Sequence, residues 1–384
     1  MTRDSGSPLR VLHCIHSLSG GGAENQLRIL TSVSHRHGVS SGIFCVNTDR
    51  HDISTERVPI FQSARRAKYN FSVFGSLRRA IDEFRPHILH AWLPASVTIP
   101  AMLLATWQQI PCVFSYRSAM HFHRPLTVPE FCCAALCSSQ VVSNNPIENS
   151  HPPYRWLYRI KRGVQIPNAV DVASQHLKPQ SVSEYDTTTP FTIVFAGRLV
   201  PEKNWRCLLQ AVYLVRQKLT VRVLICGEGP EQHQVLSMID DLKLDSCVEL
   251  LGFRTDLHAI MREADAFVLP SWFEGMSNVL LEALAIGLPV LASDIPSHRR
   301  LVGTSGCALL FDPADAEELA AHLHTVATAS TRRADMVREG RALVSQRTPD
   351  VLAQQYRVMY DALLARCTPG NLTQAHGMNR ASAE

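Results

Sequence analysis

Two carboxylates eight residues apart, Glu274 and Glu282, stand in the run Phe273-Glu-Gly-Met-Ser-Asn-Val-Leu-Leu-Glu-Ala-Leu-Ala-Ile-Gly-Leu-Pro-Val290. The apolar stretch 266–270 just before it reads as a buried strand. Glu274 then falls on a glycine-containing loop and Glu282 inside the helix that follows. A strand, a tight loop and a helix N-terminus together favour an anion, because the first-turn N–H groups lack intrahelical partners and the helix dipole points at the ligand. Two acids flanking such a place suit the hydroxyl groups of an uncharged ligand part better than the phosphate itself.

Cations for that phosphate occur on another loop. Arg198 and Lys203 lie in Gly197-Arg-Leu-Val-Pro-Glu-Lys-Asn204, between a predicted strand and a predicted helix. Arginine offers a planar fork and lysine a point charge, and the two can neutralise a diphosphate leaving group. An ordinary exposed basic loop is the plain alternative. Ser19-Gly-Gly-Gly-Ala-Glu24 also joins a strand to a helix, and its glycines admit close backbone approach to a phosphate. It matches neither Gly-x-Gly-x-x-Gly nor the P-loop. Gly227-Glu-Gly-Pro230 reads as a chain reversal. Gly252-Phe-Arg-Thr-Asp256 ends a strand, with Asp256 expected as an N-cap and the loop's backbone able to meet a flat base. His90, His121 and His123 have no carboxylate-rich company, so no metal site is expected.

The elements that must position these residues alternate. Apolar runs at 10–15, 42–47, 87–91, 112–115 and 140–143 read as strands, with helical periodicity at 23–37, 74–84 and 96–108 between them. A polar, proline-bounded stretch at 179–190 reads as a linker. The alternation then restarts with strands at 192–196, 221–226, 247–251, 266–270 and 289–292. A last helix at 351–366 precedes a polar tail. The pattern implies α/β architecture: residues 1–178 and 191–348 as two Rossmann-like domains, a helix at 349–367 returning to the first, and an unstructured tail at 368–384. Ligands of such sheets bind at the C-terminal strand ends, so a cleft between two of them suggests a nucleotide.

Bulk properties narrow the class. At 384 residues the chain is too long for one ordinary core, and no apolar run reaches the length that spans a bilayer. No leader-like order opens it, and the eleven cysteines show neither zinc spacing nor a disulfide framework, which points to reduced thiols and a cytoplasmic setting. The net charge of +4 is uneven: residues 1–175 hold 18 Lys and Arg against 10 Asp and Glu. Arg155, Arg159, Lys161 and Arg162 interleave with Trp156, Leu157, Tyr158 and Ile160. A solvated helix face and an anionic membrane surface are the two open readings, with nucleic acid a distant third.

In order and spacing, Phe195-Ala-Gly-Arg-Leu-Val-Pro-Glu-Lys-Asn204, Leu224-Ile-Cys-Gly-Glu-Gly-Pro230, Leu251-Gly-Phe-Arg254 and the Glu274…Glu282 run resemble the retaining glycosyltransferases of family 4, which have the GT-B fold. The likeness covers about residues 9–366, and Asn168-Ala-Val-Asp171 is similar to the family's Asn-Gly-Val-Asp. It implies two Rossmann-like domains with a cleft between them and a C-terminal helix crossing back. By the resemblance Arg198 and Lys203 hold the diphosphate of a nucleotide-sugar donor, approached by Gly21 and Gly22 from the first domain. Glu282 takes the ribose hydroxyls and Glu274 those of the donor sugar. Backbone amides of Gly275, Met276, Ser277, Asn278 and Val279 line the pocket, with Phe253 and Arg254 beside it. Where many relatives carry a histidine after the strand at 112–115, this chain has Arg117, expected to meet the donor or an acceptor phosphate.

The implied reaction is metal-independent and needs no cofactor besides the donor substrate. It transfers a hexosyl group from a UDP- or GDP-sugar to a glycan or lipid-linked acceptor at the inner face of the cytoplasmic membrane, with no nucleic-acid partner. A nucleotide-sugar 2-epimerase and a silent nucleotide-sugar-binding subunit are the alternatives; a silent subunit has no need to keep Arg198, Lys203, Glu274 and Glu282 together.

Overall fold

Short apolar runs make parallel strands when helices cover both faces of a sheet. The computed structural model describes residues 7–18, 21–47, 58–63, 72–92, 95–117, 127–145, 152–171 and 189–367. The linker reading at 179–188, the tail, His121, His123, Ser19 and Gly20 lie outside the described residues. The chain divides into two compact units, Met1–Asn168 with Pro349–Glu384, and Ala169–Thr348.

In the first unit the strands are β1 (Leu9–Ser17), β2 (Val39–Asn47), β3 (Ile60–Gln62), β4 (Ile88–Trp92), β5 (Cys112–Tyr116), β6 (Gln140–Ser143) and β7 (Val164–Gln165). Their order is β3-β2-β1-β4-β5-β6-β7, and every described pairing is parallel. The helices are α1 (Gly22–Val33), α2 (Ser72–Phe84), α3 (Ala95–Trp107), α4 (Thr127–Cys137) and α5 (Pro152–Ile160). Sequence reading finds five of these strands. The two it lacks, β3 and β7, are two- and three-residue edge strands too short for a pattern. The helix expected over 23–37 ends at Val33 and tightens into a 3-10 turn, Ser34–His37, closed by Gly38 in the left-handed region at φ 68°.

The second unit repeats the plan with β8 (Phe191–Ala196), β9 (Val221–Cys226), β10 (Val248–Gly252), β11 (Ala266–Leu269), β12 (Val290–Ser293) and β13 (Ala308–Phe311), in the order β10-β9-β8-β11-β12-β13. Between and after them run α6 (Trp205–Val215), α7 (Gln232–Asp241), α8 (Leu257–Glu263), α9 (Asn278–Ile286), α10 (Pro296–Val302), α11 (Ala316–Thr328) and α12 (Ser330–Ser345). One core joins Phe195, Leu208 and Val212 to Ile225 and Leu323; the other face buries Phe267, Leu281, Leu284 and Ile286. Helix α9 is apolar almost all round and accordingly buried, each such Leu or Ile contributing about 1.5–3 kcal/mol.

The last helix, α13 (Pro349–Cys367), belongs to the first unit. His37 Nε2 lies 3.1 Å from Asp350 Oδ1, and Arg357 Nη1 donates to the carbonyls of His37 and Gly38, each at 2.9 Å. In both sheets the strand order reverses beside the first strand, between β1 and β4 and between β8 and β11. Open parallel sheets bind ligands at the C-terminal ends of such a pair.

Candidate functional site

At the reversal point of the second sheet, the chain leaves β8 through the Gly197–Lys203 stretch and leaves β11 through Pro270–Ser277. The two loops meet in an ion pair. Lys203 Nζ donates to Glu274 Oε1 at 2.5 Å, and Ser271 Oγ donates to the same oxygen at 2.8 Å. The side chains of Lys203 and Glu274 are 21% and 12% exposed, so the pair is shielded but reachable. Arg198 is exposed on the same loop, and among the described residues no hydrogen bond or ion pair engages its guanidinium. Gly275 and Met276 follow Glu274, and Ser277 stands at the N-cap of α9 without a side-chain capping bond. The N-terminus of α9, with Asn278 and Val279 in its first turn, thus opens beside the ion pair.

Backbone packing fixes the cation loop. Asn204 takes the left-handed conformation at φ 49°, and its Nδ2 donates to the carbonyls of Pro270 at 3.0 Å and Pro313 at 2.8 Å. Trp272 N donates to Glu202 O at 2.9 Å. From behind, the Gly227–Gly229 turn supports the loop: Gly197 N donates to Cys226 O, Leu199 N to Glu228 O and Glu231 N to Leu199 O. A Cβ at Gly227 would lie 1.9 Å from the Gly197 carbonyl oxygen, so the glycine allows two backbones to touch. What reads as a plain reversal is therefore the brace of the cation loop.

Glu282, on α9, is paired with a residue that sequence reading misses: His258 Nε2 on α8 lies 3.3 Å from Glu282 Oε2. Phe253 and Arg254 are exposed at the end of β10. Phe253 N donates to Glu228 Oε1 at 3.3 Å. Asp256 does not cap α8 with its side chain; the Arg254 guanidinium holds that carboxylate through two bonds, 2.8 and 2.6 Å, and keeps its pKa below the usual range. Beneath Glu274, Ser293 Oγ donates to Ser271 O at 2.5 Å, and His298 Nδ1 lies 2.9 Å from Ser293 O. Burial pushes the His298 pKa down, so the ring is neutral.

Gly21, Gly22 and Arg117 belong to the first unit. Gly21 caps α1 and Gly22 starts it. The anion nearest this helix end is the chain's own: a Cβ at Gly21 would lie 2.1 Å from Glu24 Oε2. Burial raises the pKa of Glu24. Arg117, just past β5, lies over the Trp92 ring at 4.2 Å and donates from Nη1 to Asn168 Oδ1 at 3.0 Å and from Nη2 to the Tyr356 hydroxyl of α13. This network accounts for an arginine there and gives Asn168 a task. His90 is fully buried, with Nδ1 2.7 Å from the Tyr360 hydroxyl and Nε2 2.7 Å from Ser115 Oγ, so both nitrogens are occupied. Burial, then Arg117, lowers the His13 pKa to about 3. Among the described residues no group of three or more His, Cys, Asp or Glu gathers as a metal set. All eleven cysteines are unpaired, and burial pushes Cys112 up to about 12.

Two family models match the chain: Glycosyltransferase Family 4 over residues 20–174 and Glycosyl transferases group 1 over residues 190–329. Together they cover more than three quarters of it. The chain belongs to the family 4 glycosyltransferases of the GT-B fold. Within the family it is 33% identical over 146 residues, 38% of this chain and 39% of the relative, to the N-acetylgalactosamine-N,N'-diacetylbacillosaminyl-diphospho-undecaprenol 4-alpha-N-acetylgalactosaminyltransferase of Campylobacter jejuni. A lipopolysaccharide core biosynthesis glycosyltransferase of Rhizobium meliloti is 25% identical over 82% of this chain and 86% of its own length. The chain thus spans well under half the length of the first relative and most of the second. The GT-B fold is shared with Anabaena HepE, solved with UDP and glucose, at a TM-score of 0.78 and 20% identity over 92% of this chain and all of that one.

Proposed function

We propose that this chain moves a hexosyl group, with retention, from a nucleoside-diphosphate sugar to a lipid-linked or polysaccharide-precursor acceptor of cell-envelope or exopolysaccharide biosynthesis. UDP is the preferred carrier over GDP. The observation that carries the reading is the Lys203–Glu274 bridge at the C-terminal ends of β8 and β11. It ties a phosphate-binding cation to a hydroxyl-binding carboxylate at one point, where a sugar is joined to its diphosphate. The relatives support the class of acceptor: one is named for an undecaprenol diphosphate substrate and another for lipopolysaccharide core synthesis. UDP and glucose in the Anabaena structure support the donor.

In this reading Arg198, Lys203 and the first-turn amides of α9 receive the negative charge that develops as the bond from the anomeric carbon to the β-phosphate oxygen breaks. The bonding electrons leave with the diphosphate. The acceptor oxygen attacks the same face, and its proton passes to the departing phosphate oxygen. Glu274 orients the sugar, Glu282 the ribose, and the 253–254 segment flanks the base. Charge neutralisation by these residues gives a metal-independent reaction. The enzyme works peripherally at the cytoplasmic face of the membrane, where lipid-linked acceptors are held; among the described residues no helix is long and apolar enough to cross it.

The test is incubation with UDP- and GDP-sugars, with and without a polyprenyl-diphosphate-linked saccharide. Acceptor-dependent release of nucleoside diphosphate, with the donor's anomeric configuration kept in the product, is expected. Inverted product, or donor epimerised without any acceptor, overturns the proposal.

A further inference from the structure

Ser271, Ser293 and His298 lie beneath Glu274, and all three are sealed from water: the serines are 0% exposed and the histidine 1%. Their places follow from the sheet. Strands β11 and β12 pair in parallel from Phe267↔Val290 to Leu269↔Ala292. Ser293 ends β12, and Ser271 stands two residues past β11. Where the backbone ladder gives out a side chain takes over, with Ser293 Oγ donating to Ser271 O at 2.5 Å. On its other side Ser293 is held by β13, pairing with Phe311. Polar groups shut away from water cost stability unless each is bonded. These three are bonded, and the bonds lead to Glu274.

The direction of each bond follows from which atoms can only accept. Ser293 O is a carbonyl, so His298 Nδ1, 2.9 Å away, carries the proton. The same nitrogen lies 3.3 Å from Ser293 Oγ, whose own hydrogen is committed to Ser271 O. Ser271 Oγ donates to Glu274 Oε1 at 2.8 Å, the oxygen that also takes the Lys203 ammonium. Glu274 Oε2 takes no hydrogen bond among the described residues, and the side chain keeps 12% of its surface exposed. One oxygen of the carboxylate is therefore held and the other is left for a ligand. The ring supplies nothing besides its Nδ1 proton: burial keeps it neutral, and Nε2 is buried without a partner among the described residues.

We propose that Ser293 and His298 are positioning residues for the sugar half of the donor: through Ser271 they hold Glu274 Oε1 beside Lys203 and aim Oε2 at the sugar's hydroxyl groups, and so set which hydroxyl configuration the site accepts. The inference rests on the donor reading proposed above, in which Glu274 orients the sugar. A carboxylate free to swing would bond an axial or an equatorial hydroxyl with equal ease. One fixed at a single oxygen meets only one of them well. A site built to bond a hydroxyl rejects the epimer that lacks it there, because its acceptor is then left unpaired. Both residues are sealed beneath the loop and do not reach the donor themselves. The diphosphate and base therefore keep their own contacts when either residue is lost.

Calorimetric titration of the full chain with UDP, UDP-glucose, UDP-galactose, UDP-N-acetylglucosamine and UDP-N-acetylgalactosamine tests this, with unfolding midpoints as the check on folding. The wild type should bind one of these sugars about tenfold or more tightly than its 4-epimer. His298→Ala and Ser293→Ala should keep UDP affinity within about twofold, weaken the favoured UDP-sugar about tenfold or more, and cut the epimer preference to about threefold or less. His298→Asn places an amide nitrogen near the position of Nδ1 and should stay within about threefold of the wild type. Should alanine at 298 fail to fold, Ser293→Ala and His298→Asn make the same comparison. Variants that bind every UDP-sugar as the wild type does overturn the proposal. So does a loss of UDP and UDP-sugars by one common factor, which marks a packing role, and so does a His298→Asn chain as weak as His298→Ala. A wild type that binds UDP-sugars without telling 4-epimers apart overturns the setting of configuration. A wild type that binds neither UDP nor any UDP-sugar removes the donor reading itself, and this inference with it.

Discussion

Replacing Lys203 by alanine separates structure from catalysis at the proposed donor site. The wild-type lysine sits 2.5 Å from Glu274 with both side chains mostly shielded. Its loss leaves Glu274 with the Ser271 hydroxyl as its neutral support at 2.8 Å. A charged hydrogen bond lost under partial burial costs roughly 1.5–3 kcal/mol, below the range for a fully buried pair. The catalytic cost is larger. A cation about 4 Å from a developing unit charge is worth about 4 kcal/mol at an effective dielectric near 20, or about three decades of rate. Arg198 shares the load, so kcat/KM should fall by about 10²–10³. Urea unfolding and donor turnover, measured on the same preparations, give both numbers. Adding Glu274→Gln to Lys203→Ala removes the orphaned charge and should restore about 1 kcal/mol or more of stability while turnover stays low. If turnover returned with stability, or Lys203→Ala cost less than tenfold, the assignment of Lys203 to the leaving diphosphate would be wrong.

Other outcomes follow from particular contacts. Gly227→Ala drives a Cβ into the Gly197 carbonyl at φ 148°, so the second unit should lose roughly 3 kcal/mol or more and bind donor poorly; near-normal unfolding would discredit the brace. Arg117→Ala removes bonds to Asn168 and Tyr356 and a ring contact, and should cost roughly 2–4 kcal/mol in urea unfolding; a change under about 0.5 kcal/mol would contradict the network. Burial raises the Glu130 pKa from 4.5 to about 7. Its contribution to stability is complete below pH 4.5 and is lost as pH rises through 7, about 3 kcal/mol in all. Glu130→Gln should flatten that slope between pH 4.5 and about 7, and parallel wild-type and variant curves would refute it.

The second unit's strands at 192–196 and 266–270 are legible because parallel strands buried on both faces leave unbroken apolar runs. Arg198, Lys203 and Glu274 stand out in the sequence as charged residues on loops that follow apolar runs, and Glu282 as the one carboxylate inside an otherwise apolar helix. β13 is not legible: Ala308–Leu310 are only half-buried at the sheet edge, so the run lacks a sharp signal. Partners distant in sequence are hidden as well. Asn204 reads as the end of a loop, yet it binds a carbonyl 66 residues away. Ser293 reaches Ser271 across 22 residues, and His258 meets Glu282 between two helices. At Asp256 two local rules compete. A cap is the common outcome for aspartate ahead of a helix, but an arginine two residues earlier captures the carboxylate with two charged bonds. The Gly227–Gly229 turn shows the limit most plainly, since its purpose depends on a backbone thirty residues upstream in chain order.

The central claim, that the loops after β8 and β11 hold a nucleoside-diphosphate sugar, is tested most directly by calorimetric titration of the wild type and Arg198→Ala with UDP- and GDP-sugars. The account predicts saturable one-site binding of a UDP-sugar, weakened roughly ten- to a hundredfold in Arg198→Ala, about 1.4–2.7 kcal/mol of affinity. Absence of binding by any nucleotide sugar, or equal affinity in the variant, would contradict it.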